Sequence, residues 1–170
     1  MVNKMSFAQF REISLKRRTV RDFKKDEVRP SDILECIELG IWAPNGSNLQ
    51  RIRFSILADK NLVEKVKLYS PGLPKTTPSI LALYSHEKEE YKNIFFEEII
   101  NYDIGLALQN ICLGLYLKGY GSCIVKSFNQ VILNKLLYKK NHKLRILLAW
   151  GRIEKLPLPP ERKEIEAYLI

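Results

Sequence analysis

Two short segments of this chain carry the residue types best suited to chemistry. The first is Arg17-Arg18-Thr19-Val20-Arg21-Asp22-Phe23. Its guanidinium forks and hydroxyl suit a phosphate and an electron-rich ring edge. The second is Ala43-Pro44-Asn45-Gly46-Ser47-Asn48-Leu49-Gln50. Its small residues and side-chain amides suit hydrogen bonding to a flat polar heterocycle. Either segment alone reads equally as a solvated basic turn or as ordinary loop polarity. Together, with one short amphipathic helix between them, they form a testable cofactor site.

Other chemistry is thinly supplied. The histidines, His86 and His142, fall in a loop-like stretch and just before a strand, far apart in sequence. That leaves little for a metal cluster or a Ser-His-Asp triad. Cys36, Cys112 and Cys123 show no CxxC spacing and read as buried small hydrophobes rather than a disulfide or zinc framework. Gly119-Tyr120-Gly121-Ser122 lacks the lysine of a phosphate loop, so its glycines read as a helix stop. The net charge of +9 could mark a nucleic-acid binder, but the basic residues are spread along the chain. No helix-turn-helix, RNA-recognition or zinc-finger pattern accompanies them. A solvated basic surface that attracts anionic small molecules, with no nucleic-acid partner, is the expectation.

These residues must be positioned by a core, and 170 residues with 46% hydrophobic content suffice for one. Without repeats or a dividing linker, residues 1–170 read as a single domain. No uninterrupted apolar run is long enough for a bilayer, and Met1-Val2-Asn3-Lys4-Met5-Ser6 does not lead into a signal peptide. A cytoplasmic protein with no membrane partner is expected.

Periodicity predicts helices over Phe7 to Lys16, with Ser6 as N-cap, and over Ser31 to Trp42, capped by Ser31 or Asp32. The second should turn Ile33, Leu34, Ile37 and Ile41 to one face. Arg53 to Ala58 reads as a strand, Asn61 to Leu68 as a short helix, and Ser79 to Ser85 as a fully buried strand. Phe95 to Lys118 is the strongest helix, apolar around much of its circumference. It would span about 35 Å, long for so small a chain, which points to a dimer interface. Gly105 and Gly114 would allow a neighbouring backbone to approach, and Gly119 and Gly121 would end the helix. Ser122 to Val125 is a short strand, Asn129 or Gln130 to Tyr138 a helix, and Leu144 to Trp150 another buried strand. An extended, proline-rich tail follows from about residue 152. The mixture predicts a layered α+β fold around a small sheet.

The pattern resembles the FMN-dependent nitroreductase family. The resemblance rests on the two opening segments, on Asp103-Ile104-Gly105-Leu106-Ala107-Leu108-Gln109-Asn110, and on Gly119-Tyr120-Gly121-Ser122-Cys123. Ala149-Trp150-Gly151 and Pro159-Pro160-Glu161-Arg162-Lys163 complete it. It implies a central, mostly antiparallel sheet flanked by helices, and a homodimer with FMN at the subunit interface. Arg17 and Arg162 would grip the phosphate, helped by Arg18 and Thr19. Arg21 would face the pyrimidine edge of the flavin and act in catalysis. Pro44, Asn45, Gly46 and Asn48 would come from the second subunit. The backbone of Ile124, Val125, Lys126 and Ser127 would face the reactive ring nitrogen.

The implied activity is a ping-pong oxidoreductase. NADH or NADPH would supply electrons, and a nitroaromatic, quinone or similar small molecule would accept them. Arg51 and Ile52 stand where the family often has Pro-Trp, Ser127 where it often has Gly, and the chain is short before the long helix. The shortened region and the Arg51 departure motivate an alternative, a flavin-binding or regulatory dimer with little turnover.

Overall fold

The computed structural model describes residues 5–163, and its first helix, α1 (Phe7–Lys16), starts at the expected cap. Ser6 Oγ accepts from the Gln9 amide, and Gln9 Oε1 accepts from the Ser6 amide, closing a capping box. The helix buries no residue of its own, and Phe7 is 79% exposed.

Helix α2 (Ser31–Ile41) corrects the expected cap. Pro30 occupies the N-cap position, and no side chain caps the helix. Asp32 is committed elsewhere: it accepts from the Tyr120 hydroxyl and from Arg29. The buried face is also different. Ile33, Cys36, Ile37 and Gly40 turn inward, while Leu34 and Ile41 are exposed. The inward set follows the three-to-four-residue helical spacing, and Leu34 and Ile41 lie on another stripe.

Four strands form one sheet: β1 (Ile52–Leu57), β2 (Ser79–His86), β3 (Tyr120–Val125) and β4 (His142–Arg152). Their order is β1-β2-β4-β3, and every pair is antiparallel. The mostly antiparallel expectation thus holds throughout the sheet. Alternation along β2 divides the core. Ile80 and Ala82 face helices α3 (Lys60–Leu68) and α5 (Gln130–Leu136), among Val63, Val66 and Leu133. Leu81 and Leu83 face α2 and α4 (Ile94–Leu117), among Ile33, Ile104, Leu108 and Ile111. Asp59, Asn93 and Asn129 cap α3, α4 and α5 through their side chains.

In α4, Gly114 lies so close to α2 that a Cβ would meet Leu39 Cδ1 at 2.9 Å. Its close approach is therefore made within the chain. Gly119, at φ +78°, follows the end of the helix as expected. Gly121 does not stop the helix; it sits inside β3, where a Cβ would meet Ile153 Cγ2 at 2.4 Å and Val20 Cβ at 2.8 Å. The histidines also need correction. His86 and His142 are direct cross-strand partners, with ring centroids 5.0 Å apart. Among the described residues no three His, Cys, Asp or Glu side chains group to hold a metal, and no helix is long and apolar enough to cross a membrane.

Candidate functional site

The open edge of β3 organises the first half of the site. The chain leaves α1 at Arg17, the helix C-cap, and runs alongside this edge. Thr19 makes a parallel bridge with Ser122, and the Val20 amide donates to the Ser122 carbonyl at 2.9 Å. Val20 and Phe23 are buried, while Thr19 and Arg21 between and before them are exposed. The apolar pair anchors the segment and turns its polar members outward.

The three arginines differ in what they are free to do. Arg18 donates to the carbonyls of Leu15 and Arg17, the latter at 2.8 Å, and so closes the end of α1. Arg17 keeps its Nε buried with no hydrogen-bond partner among the described residues. Its charge reaches Cys112, where it partly offsets the upward push of burial on that thiol. An unpaired buried donor costs about 1–3 kcal/mol, and an anion would satisfy it. Arg21 lies two residues beyond the Thr19 bridge, and its charge opposes the burial that raises the Cys123 thiol.

Continuing along β3, Ile124 is exposed and Val125 is buried in the core. Lys126 donates to the Arg145 carbonyl at 2.6 Å. Burial, and then the Arg145 charge, hold its ammonium below its ordinary value. The Ser127 carbonyl accepts from the Gly72 amide at 3.3 Å. Thus the Arg17 to Arg21 segment runs along the edge of β3, which ends at Ile124 and Val125, and Lys126 and Ser127 follow just beyond the strand.

The second opening segment lies elsewhere. Gly46–Asn48 is a single 3₁₀ turn, and Ser47, Asn48 and Gln50 all have φ near +50°. Asn45 curls the loop by accepting from the Gln50 amide at 3.0 Å. The Gly46 amide donates to Asp103 Oδ1 on α4 at 2.9 Å. Asp103 is 3% exposed, its Oδ2 lacks a partner among the described residues, and burial raises its carboxyl despite the Gly46 bond and the Arg51 charge. Beside the loop lies a cleft of about 270 Å³, lined by Ile41, Pro44, Asn45, Arg51, Phe54 and Asp103.

The chain does not bring every candidate together. Asp103 and Cys112, which mark the two halves, are nine residues apart on α4, about 13 Å along its axis. No hydrogen bond or ion pair joins Arg17–Arg21 to Pro44–Asn48 among the described residues. Arg162 lies in the exposed stretch 154–163, which carries no helix or strand. Asp103 and Arg51 were not among the sequence candidates. The available signal was a lone carboxylate in the apolar run of α4.

Residues 15–99, half of the chain, match the family described as Nitroreductase family. The chain belongs to the nitroreductase family. The matched stretch contains both opening segments and ends within the first turns of α4. Solved structures agree in fold. A nitroreductase family protein from Streptococcus pneumoniae TIGR4 superposes with a TM-score of 0.82 at 21% identity, over 94% of this chain and all of that one. An iodotyrosine deiodinase bound to FMN and 3-iodo-L-tyrosine gives 0.78 at 21% identity, over 93% of this chain and 97% of that one. A BluB-like flavoprotein from Clostridium difficile 630 gives 0.77 at 21% identity, over 91% and 94%. At these identities the likeness establishes the α+β nitroreductase fold and not a shared substrate.

Proposed function

We propose that this nitroreductase-family protein is an FMN-dependent oxidoreductase. It would take electrons from NADH or NADPH and pass them to nitroaromatics, quinones or similar electrophiles. The observation that carries the reading is the buried Arg17 Nε, without a hydrogen-bond partner among the described residues, beside the exposed Thr19 and Arg21 on the open edge of β3. A phosphate would satisfy Arg17, with Thr19 as a neutral helper. Arg18 helps by fixing the backbone that carries them, through its bonds to Leu15 and Arg17. The FMN-bound deiodinase structure is consistent with a flavin in this fold.

When bound, FMN supplies the two-electron chemistry. This chain binds and orients it. Arg21, exposed beside the β3 edge, would bring a guanidinium to the polar ring edge, where positive charge favours electron uptake. Ile124 would present apolar surface beside it; Val125 is buried in the core, the Lys126 side chain donates to the Arg145 carbonyl, and the Ser127 carbonyl accepts from the Gly72 amide.

We also propose a homodimer. The Pro44, Asn45, Gly46 and Asn48 loop, tied to α4 at Asp103, would serve the flavin of the partner. Phe7, Phe10, Tyr102, Leu106 and Trp42 leave apolar surface exposed in the isolated chain. Arg162 would reach a phosphate from the extended tail. The departure at Arg51, which motivated the binding-module alternative, is committed to structure: its guanidinium donates to the Phe96 carbonyl at 3.1 Å.

The test is FMN titration of the purified protein, then NADH and NADPH oxidation with a quinone. Flavin binding with rapid turnover is expected. Failure to bind FMN rejects the reading, and tight binding with negligible turnover selects the binding module.

A further inference from the structure

The Asn45–Gln50 loop is held in a shape its own residues resist. Ser47, Asn48 and Gln50 have φ of 51°, 53° and 48°, a region that side-chain-bearing residues avoid. Three such residues within four positions persist only where the surroundings over-determine them. The bonds inside the loop do not attach it to anything. Asn48 and Leu49 donate back to Asn45 and Gly46, and Gln50 donates to the Asn45 side chain.

Attachment comes at the two ends, and both ends reach the same face of α4. At the start, Gly46 donates to Asp103 and packs so tightly on Ile99 that a Cβ would lie 2.4 Å from its Cγ2. At the finish, the next residue is Arg51, 2% exposed. Its guanidinium donates to the carbonyls of Phe96 at 3.1 Å and His86 at 3.4 Å, and lies 4.2 Å from the centre of the Tyr91 ring. Its carbonyl accepts from the His86 amide at 2.8 Å. Phe96, Ile99 and Asp103 fall three and four residues apart, so one stripe of α4 receives both ends.

Both charges are costly where they sit. Asp103 Oδ2 is buried without a hydrogen-bond partner among the described residues, and Arg51 Nη2, which also lacks one, has only a long ion pair to Glu87 Oε1 at 3.9 Å; both residues border the same cleft. Apolar residues of similar volume would pack more cheaply. Holding the loop gives the two charges a purpose that packing does not.

We propose that Asp103 and Arg51 clamp the Asn45–Gln50 loop to α4, and that Asp103 is thereby the positioning residue for the loop's cofactor-facing surface. The second half rests on the FMN reading above; the clamp itself does not. Asp103 touches no cofactor in this account. It acts through the Gly46 amide.

The experiment compares the parent with Asp103→Ala and Asp103→Asn. Amide hydrogen exchange is measured first, on the apo proteins. In Asp103→Ala, the Gly46–Gln50 amides should exchange about tenfold faster, as expected for loss of one hydrogen bond, while β2 and β4 stay at the parent rate. Asp103→Asn keeps an oxygen for the Gly46 amide and should restore most of the protection. Unchanged loop exchange in Asp103→Ala overturns the clamp. So does acceleration spread evenly over the chain, or failure of Asp103→Asn to rescue. FMN and riboflavin titrations follow. Both affinities should fall about tenfold in Asp103→Ala, with their ratio unchanged because the phosphate grip is intact. Parent-like affinity for both overturns the positioning role. A parent that binds no FMN defeats the cofactor reading and the positioning role with it, while the exchange result still decides the clamp.

Discussion

Arg145 grips Glu97 with both arms of its guanidinium, Nη1 to Oε2 at 2.6 Å and Nη2 to Oε1 at 2.9 Å. The pair ties β4 to the first turn of α4, and Glu87 supplies a further acceptor at 3.0 Å. Arg145 reaches it from a bulge. Leu83 pairs with Ile146 and Tyr84 with Leu144, so Arg145 is the residue left over, re-aimed out of the apolar alternation.

This pair sets an acid limit. Hydrogen bonding to Arg145 pulls the Glu97 carboxyl from its ordinary 4.5 down to about 2, against the upward effect of burial. A depressed acid stabilises the fold fully above its unfolded value and loses that contribution as pH falls toward the folded one. Stability should therefore decline between about pH 4.5 and pH 2, and the decline should be shallower in Glu97→Gln. Tryptophan fluorescence followed through an acid titration checks this; identical profiles for parent and variant would dismiss the pair as the cause.

Arg17→Ala should weaken FMN binding by roughly 10- to 100-fold, the range for losing a charge-assisted bond. Riboflavin, which lacks the phosphate, should be unaffected. Arg162→Ala should behave alike. An unchanged dissociation constant in either variant rejects that residue's assignment. Arg18→Ala should mainly lower the melting temperature, because the Arg18 guanidinium closes the end of α1.

Arg21 is exposed, so Arg21→Ala should leave thermal stability near that of the parent. FMN should still bind, but anaerobic reduction by NADH or NADPH should slow by about 100-fold, as when one preorganised group is lost. Reduction at the parent rate would remove Arg21 from the chemistry.

What could be read from the sequence was what short-range physics decides. The Ser6 cap, the 3.6-residue rhythm of α4 and the unbroken apolar run of β2 are local signals, and each led to the right element. The two opening segments, each ordinary for a turn, stood out through their order and spacing with the later motifs of the same family. The misses depended on partners far along the chain. Ser31 and Asp32 looked like caps until Tyr120 claimed the Asp32 carboxylate. Gly121 looked like a helix stop because nothing nearby in sequence shows Val20 and Ile153 pressing on it. Asp103 meets Gly46 across 57 residues, and Arg145 meets Glu97 across 48. Pairings of that kind arise only when the sheet and α4 have packed.

The three cysteines should be silent in the native protein. Cys36, Cys112 and Cys123 are all buried, and burial pushes the Cys36 thiol up to about 11. The thiolate is the reactive form, so little is present at neutral pH. A chromogenic disulfide reagent should label almost none before denaturation and all three after it. Rapid native labelling would show that the core around α2 and α4 opens readily.

Gly105 offers a direct test of the proposed homodimer. It lies on the exposed side of α4, beside Tyr102 and Leu106, and a Cβ there would meet nothing within 4 Å in this chain. By helix propensity alone, Gly105→Ala should stabilise an isolated chain by about 1 kcal/mol. A partner packed against this face reverses the expectation for a larger residue, because the space beside Gly105 is then filled. Gly105→Trp should therefore convert the dimer to monomers that keep their helical circular dichroism. Those monomers should also lose FMN affinity, since the Pro44–Asn48 loop would no longer be supplied by a second subunit. Light scattering coupled to size-exclusion chromatography reads the mass. A Gly105→Trp protein that remains dimeric and binds FMN like the parent would take this face of α4 out of the interface.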